Sequence, residues 1–440
     1  MAKVETAGSL QKVLRLKDSV AIIVGIVIGV GIFRVPAEVA RYLPSPEWML
    51  FAWILGGVFS LIGAACYAEL ATSFPKTGGD YVYLRESFGP LVSFLYAWIS
   101  VLVIRTGAIA SVAFVFSEYC ASFLGLVSVW VKPIAVIMIL FLSFINIWGL
   151  RQGKTLQNIL SAGKILTLVA IVGVGFILGK GNAAHFKPIP LPQGSNIFSL
   201  LALALVPILW TFGGWQENTF VTGETHNVKR VIPLALLGGA SLITILYVGM
   251  NIVYLYLFPV GQIAQMELIG SRVMEVLCGS AGTKVVECLV LLSAFGAING
   301  MILTSGRITY ASSMDHPLFR FFNKVHGRFH TPHRAIIVNA LISAILITWG
   351  SFNTLLFFTG IIVWFFFGMV MAGIFILRKK FPNLERPYKV WGYPFTPAIF
   401  LLLCAALVIN TAIYFPKQSF FGFAILLSGI PVYFLSRKSL

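Results

Sequence analysis

Two stretches of this chain place flexible backbone where an apolar helix would otherwise continue. Residues 21–40 read AIIVGIVIGVGIFRVPAEVA, with Gly29, Val30 and Gly31 in the middle of the run. Residues 201–224 read LALALVPILWTFGGWQENTFVTGE, with Gly213 and Gly214 between Phe212 and Trp215. In hydrocarbon an unpaired peptide group costs on the order of several kcal/mol, so a helix break is tolerated only where protein or a watery cavity surrounds it. A break therefore implies a cavity. Close helix packing through Gly25 and Gly29 would account for the first glycines taken alone. It does not account for Gln216, Glu217 and Asn218 beside the second pair, because polar and ionisable groups at membrane depth mark a pathway. Lys164, in NILSAGKILTLVAI, and Arg105 and Asn299 in two other apolar runs add to that polar set.

The elements that hold these residues are membrane helices. Of 440 residues, 58% are hydrophobic and 11% charged, with a mean hydropathy of +0.91, where a soluble chain has roughly 25% charged residues. Apolar runs of about 20 residues, the length that crosses a bilayer, recur throughout. They predict an all-α membrane protein of twelve transmembrane helices, at 18–41, 47–73, 90–120, 132–150, 155–179, 197–224, 232–258, 283–310, 335–350, 353–377, 396–415 and 419–436. The start, MAKVETAGSLQKVLRLKDSV, has no small-residue cleavage site after a short apolar core and predicts no removed signal peptide.

An even number of spans puts both termini on one side. With that side inside, its segments hold 22 Lys and Arg against 7 outside, so both termini are expected in the cytoplasm. The two breaks fall in spans one and six. Five spans per repeat would invert the second copy and set a midplane site between the broken helices. The division expected is a cytoplasmic segment at 1–17, a first five-helix repeat at 18–179, an inverted second at 197–377, and two additional helices at 396–436.

Several function classes drop out. The net charge of +17 is spread over cytoplasmic segments as the positive-inside rule requires, with no basic domain interleaved with aromatics, so no nucleic-acid partner is expected. Cys66, Cys120, Cys278, Cys288 and Cys404 lack metal-type spacing, and His316, His326, His330 and His333 have neither Cys nor carboxylates arranged around them. No metal or cofactor is expected. An intramembrane enzyme finds no paired Asp set, Ser/His dyad or HExxH helix.

The motifs resemble the amino acid, polyamine and organocation (APC) transporter superfamily. VIGVGIFRVP is similar to its first-helix motif, G-[SA]-G-I-F. Tyr67 to Gly89, YAELATSFPKTGGDYVYLRESFG, resembles its signature P-x-x-G-G-x-Y-x-Y-x-x-x-x-F-G. FGAINGMILTSGR, from Phe295, and PNLERPYKVWGYP, from Pro382, resemble patterns of the L-type amino acid transporter branch. The resemblance runs through nearly the whole chain and implies a leucine-transporter-like 5+5 inverted repeat with helices 1 and 6 unwound at mid-membrane, and an L-amino acid as substrate.

That implication assigns roles. Backbone N–H groups at Gly29, Val30 and Gly31, at the positive end of a half-helix, would meet the carboxylate. Carbonyls at Trp210, Thr211 and Gly213 would accept from the ammonium. Trp210 would be an outer gate, with Gly214, Gln216, Glu217 and Asn299 at the pocket. Glu217 has three open roles: attracting cationic substrates, carrying a coupling proton, or bonding within the bundle. For Lys164 the residues alone leave snorkelling to the interface open; the resemblance implies that it replaces a sodium ion and ties helix 1 to helix 5. Asp80, Arg85 and Glu86 form an inner gate element or a solvated surface helix. Val30 and Arg34 depart from the family motif.

The resemblance implies sodium-independent exchange of neutral L-amino acids by alternating access. A proton-coupled symporter, an antiporter of cationic amino acids or amines, and a transporter-like sensor are the alternatives. Animal members of the branch are disulfide-linked to a glycoprotein through a cysteine after the third span. ASFLGLVSVWVKP has none, so no covalent glycoprotein partner is expected, and a prokaryotic inner membrane is the expected location.

Overall fold

Hydrocarbon leaves the backbone no water to bond, which admits helices and closed barrels only; this chain forms helices. The computed structural model describes residues 14–76, 78–148, 153–178, 180–191, 194, 196–323 and 333–438. The first half contains α1 (Leu16–Val27), α2 (Val35–Tyr42), α3 (Pro46–Ser73), α4 (Asp80–Phe88), α5 (Pro90–Ile99), α6 (Arg105–Leu124), α7 (Val131–Trp148) and α8 (Gly153–Ile177). The second contains α9 (Ile197–Phe212), α10 (Val228–Leu257), α11 (Val260–Ile263), α12 (Ile269–Asp315), α13 (His333–Trp349), α14 (Phe352–Lys380), α15 (Phe395–Tyr414) and α16 (Pro416–Lys438). A single isolated bridge, Leu14 to Thr225, is the strand pairing among the described residues.

Nine helices among the described residues are long and apolar enough to cross a membrane. They become ten if Ile197–Phe212 and Trp215–Gly223, bent by 42° at their junction, form one span. The outward faces are apolar: Ile177, Phe198, Leu402 and Leu435 are each more than two-thirds exposed. This is an integral membrane protein. Small residues let the helices approach: a Cβ on Gly57 of α3 would stand 2.2 Å from Thr244 Cγ2 of α10.

The helix ends agree with the expected spans to a few residues; the differences lie in the first, sixth and eighth, the sixth dividing into Ile197–Phe212 and Trp215–Glu224. The eighth expected span, 283–310, lies inside the longer α12, whose first ten residues precede a turn at Gly279 with φ 70° and ψ −163°. Hydropathy does not separate that first segment of α12, with its Ser271, Arg272 and Glu275, from a loop. The first expected span divides into α1, a 3₁₀ turn at Gly31–Phe33 and α2.

Candidate functional site

α1 ends at Val27, and Ile28 turns out of the helix at ψ 82°. The chain then runs through Gly29 and Val30 into the 3₁₀ turn. The first bond of that turn is Phe33 N–H to Val30 O at 3.1 Å, so the amides of Gly31 and Ile32 open it without helical acceptors. Pro36 sits in the first turn of α2, where a missing N–H costs nothing.

α1 is held from three helices. Lys164 Nζ on α8 donates to Gly25 O at 2.6 Å, and Ser161 Oγ to Ala21 O at 2.8 Å. Tyr247 OH on α10 donates to Val27 O at 2.8 Å, and Ser293 Oγ on α12 to Ile28 O at 3.1 Å. Beyond the break, Tyr254 OH reaches Ile32 O at 3.1 Å and Tyr119 OH reaches Phe33 O at 2.9 Å. These hydroxyls answer the carbonyls that an interrupted helix leaves bare. Tyr247, Tyr254, Tyr119 and Ser293 were not singled out in the sequence; a hydroxyl in an otherwise apolar span was the available signal.

The second break mirrors the first. α9 ends at Phe212, Gly213 N–H turns back to Trp210 O at 3.0 Å, and Gly214 takes φ 116°, the left-handed region that favours glycine. Gln216 Oε1 accepts from Gly214 N–H at 3.0 Å, so this side chain caps the break. Thr211 O accepts from Tyr247 OH at 3.4 Å, which puts one tyrosine on both breaks. The broken segments touch: a Cβ on Gly31 would lie 2.7 Å from Thr211 Cγ2, and one on Gly214 would lie 2.7 Å from Ile26 Cγ2.

Between the breaks lies a cavity of about 120 Å³. Gly29, Val30, Gly31, Trp210, Thr211, Gly213, Gly214, Gln216 and Glu217 all line it, as do Asp80 and Arg105. Its apolar wall comes from Ile104, just before α6, Val112 of α6, Met301 of α12, and Trp364 and Phe367 of α14. Trp210 meets Phe352 edge-on at 5.6 Å. Phe352 lies under the guanidinium of Arg34 at 5.3 Å, and Arg34 pairs with Glu118 and Glu38 at 3.3 and 3.2 Å.

Other expected residues separate from this cavity. Asn299 is not among its lining residues; its Oδ1 accepts from Asn146 Nδ2 on α7 at 2.7 Å. The inner-gate set divides. Asp80 is buried against the cavity and accepts from Tyr96 OH at 3.0 Å. Arg85 bonds Asp315 at the end of α12, which also takes Tyr81 OH. Glu86 meets Lys76 at 3.2 Å near the surface. Arg105 and Glu217, separate features in the sequence, form a buried ion pair. His316 packs among Tyr81, Phe94, Phe319 and Tyr433, and His326 and His330 lie outside the described residues.

The model of the amino acid permease family matches residues 14–435. The chain belongs to that family. This permease is 32% identical to the b(0,+)-type amino acid transporter 1 of Mus musculus, over 97% of its own length and 88% of the relative's. It is 33% identical to the Mus musculus large neutral amino acids transporter small subunit 2, over 97% and 81%. It is 32% identical to the human cystine/glutamate transporter, over 97% and 85%. The permease thus falls in the APC superfamily with the L-type branch, as its motifs indicated.

Proposed function

We propose that this permease exchanges neutral L-amino acids across the membrane by alternating access, without sodium. The observation that carries the reading is the meeting of the two breaks at one cavity. Amides of Gly31 and its neighbours open a helical turn there, and carbonyls of Trp210, Thr211 and Gly213 end a helix. A zwitterion's carboxylate would bind the first set and its ammonium the second. The relatives' names specify amino acids as their cargo, which supports that substrate class here. A fixed ammonium at Lys164, bonded to the broken helix, disfavours a bound cation beside it; this supports exchange over sodium coupling.

The same reading takes the fold as twelve spans. The nine long helices, the bent pair and the two shorter apolar helices, Ser161–Ile177 and His333–Trp349, together supply that number. It divides them into repeats at 18–179 and 197–377 with two additional helices at 396–436, both termini cytoplasmic. One relative's name calls it a small subunit. In this permease the loop after α6, residues 125–130, contains no cysteine, and Cys120 lies within α6. That favours a protein working without a disulfide-linked partner, in a prokaryotic inner membrane.

Counterflow in proteoliposomes tests the function. External unlabelled neutral amino acid should accelerate efflux of preloaded label with no pH or sodium gradient. Uptake that occurs only under an imposed pH gradient would replace exchange with proton symport, and saturable binding without flux would make the protein a sensor.

A further inference from the structure

Three residues lining the cavity carry charged side chains: Asp80, Arg105 and Glu217. Asp80 accepts the hydroxyl of Tyr96. Arg105, the first residue of α6, donates through Nη1 to Glu217 Oε1, beyond the second break and 112 residues away in sequence. Both side chains are buried, and the guanidinium also lies over the Phe220 ring at 4.7 Å. Both are withdrawn from bulk water, so each would contribute strongly to the field in the cavity if the other were absent: charges interact several times more strongly in a protein interior than in bulk water. A bare carboxylate beside a substrate side chain would select cations, and a bare guanidinium would select anions. Paired, they leave a local dipole.

From this we propose that Arg105 and Glu217 are a charge filter for the part of the cavity they face, in which each cancels the other's field while Asp80 is bonded instead to Tyr96, and this local balance restricts exchange to substrates whose side chains are uncharged. The filter rests on the amino acid exchange reading and names the residues that set its substrate class. It also resolves Glu217: an internal cation already holds the carboxylate that would otherwise attract a cationic substrate.

The test uses the full chain in proteoliposomes loaded with a labelled neutral amino acid, challenged from outside with matched pairs: asparagine and aspartate, glutamine and glutamate, methionine and lysine. The unsubstituted protein should respond at least tenfold more to the neutral member of each pair. E217Q should raise the acidic-to-neutral ratio at least tenfold, R105Q should raise the lysine-to-methionine ratio at least tenfold, and R105Q/E217Q should restore both ratios. Single variants that slow all exchange equally, with ratios unmoved, would assign the pair a structural role and overturn the filter. So would an unsubstituted protein that accepts aspartate or lysine as readily as their neutral mates. If E217Q or R105Q does not yield folded protein, E217D and R105K keep both charges while loosening the pair. They should hold the original ratios, and a tenfold shift in either would overturn the proposal. Absence of any amino acid exchange in the unsubstituted protein would strike the exchange reading itself.

Discussion

Lys164 Nζ lies 2.6 Å from the carbonyl oxygen of Gly25, joining residues 139 apart in sequence. The lysine is buried, and the carbonyl belongs to the last turn of α1, where helical donors have run out. Burying an ammonium is costly unless it is bonded, so the contact fixes the end of the broken helix and supplies the lysine with an acceptor. Replacing Lys164 with Met keeps the apolar stem and removes both effects. Exchange should fall at least tenfold while the protein still folds, as counterflow and size-exclusion profiles would report. In the unsubstituted protein, replacing sodium with choline should leave exchange unchanged; a clear sodium requirement would contradict the sodium-independent reading.

Tyr247 carries a hydroxyl that reaches Val27 O at 2.8 Å and Thr211 O at 3.4 Å, one on each broken segment. Tyr247→Phe removes only that oxygen from a buried ring. The hydroxyl has one proton, so what is lost is a single donor, directed chiefly at Val27 O and worth about 1 kcal/mol, more where the acceptor is left bare. Apparent substrate affinity should drop roughly five- to tenfold by the same conversion, with a fall of a few degrees in melting temperature. An unchanged half-saturation concentration would show that the two breaks do not depend on this bond.

Membrane-length apolar helices are legible in the sequence because twenty apolar residues in a row are a local signal, and Gly29–Gly31 and Gly213–Gly214 interrupt that signal locally. The pairings are not legible. Nothing near Glu217 in sequence indicates Arg105, and nothing near Asn299 indicates Asn146, since helices carrying them meet only after the bundle assembles. Gln216 reads as a pocket residue because a polar side chain beside a break suits a ligand; it lines the cavity, and its carboxamide oxygen also caps Gly214 N–H, two residues away, which the sequence does not indicate. Arg34 read as an unexplained departure from a motif, and its reason lies on α6 and α14.

Arg34 joins the second half of the broken span to Glu118 on α6 at 3.3 Å and covers Phe352, which packs on Trp210. The aromatic side of the cavity is therefore held by a cation between carboxylates. Arg34→Gln and Glu118→Gln should each loosen it. With Ala108→Cys as a reporter in the cavity, and the native cysteines replaced, labelling by a membrane-impermeant thiol reagent from outside should quicken several-fold in either variant. The double variant should add little to the singles, because both remove one pair. Equal labelling in all four proteins would remove Arg34 from outer closure.

The contact between the two breaks is testable through its volume. A methyl group on Gly31 would stand 2.7 Å from Thr211 Cγ2 and 2.9 Å from Thr211 Oγ1, closer than unbonded atoms approach. Gly31→Ala should force the broken segments apart, at a cost of about 1–3 kcal/mol for an overpacked site, and exchange should fall steeply. Thr211→Ala removes both offending atoms and leaves Cβ at 3.1 Å, so the pair Gly31→Ala/Thr211→Ala should regain a substantial part of the lost exchange. Gly29→Ala is the control, because its added methyl meets nothing closer than 3.8 Å. Rescue at Gly31 with little loss at Gly29 would place the sensitive volume where the two broken helices touch. A Gly31→Ala protein whose exchange is unimpaired would show that this approach is not needed for transport.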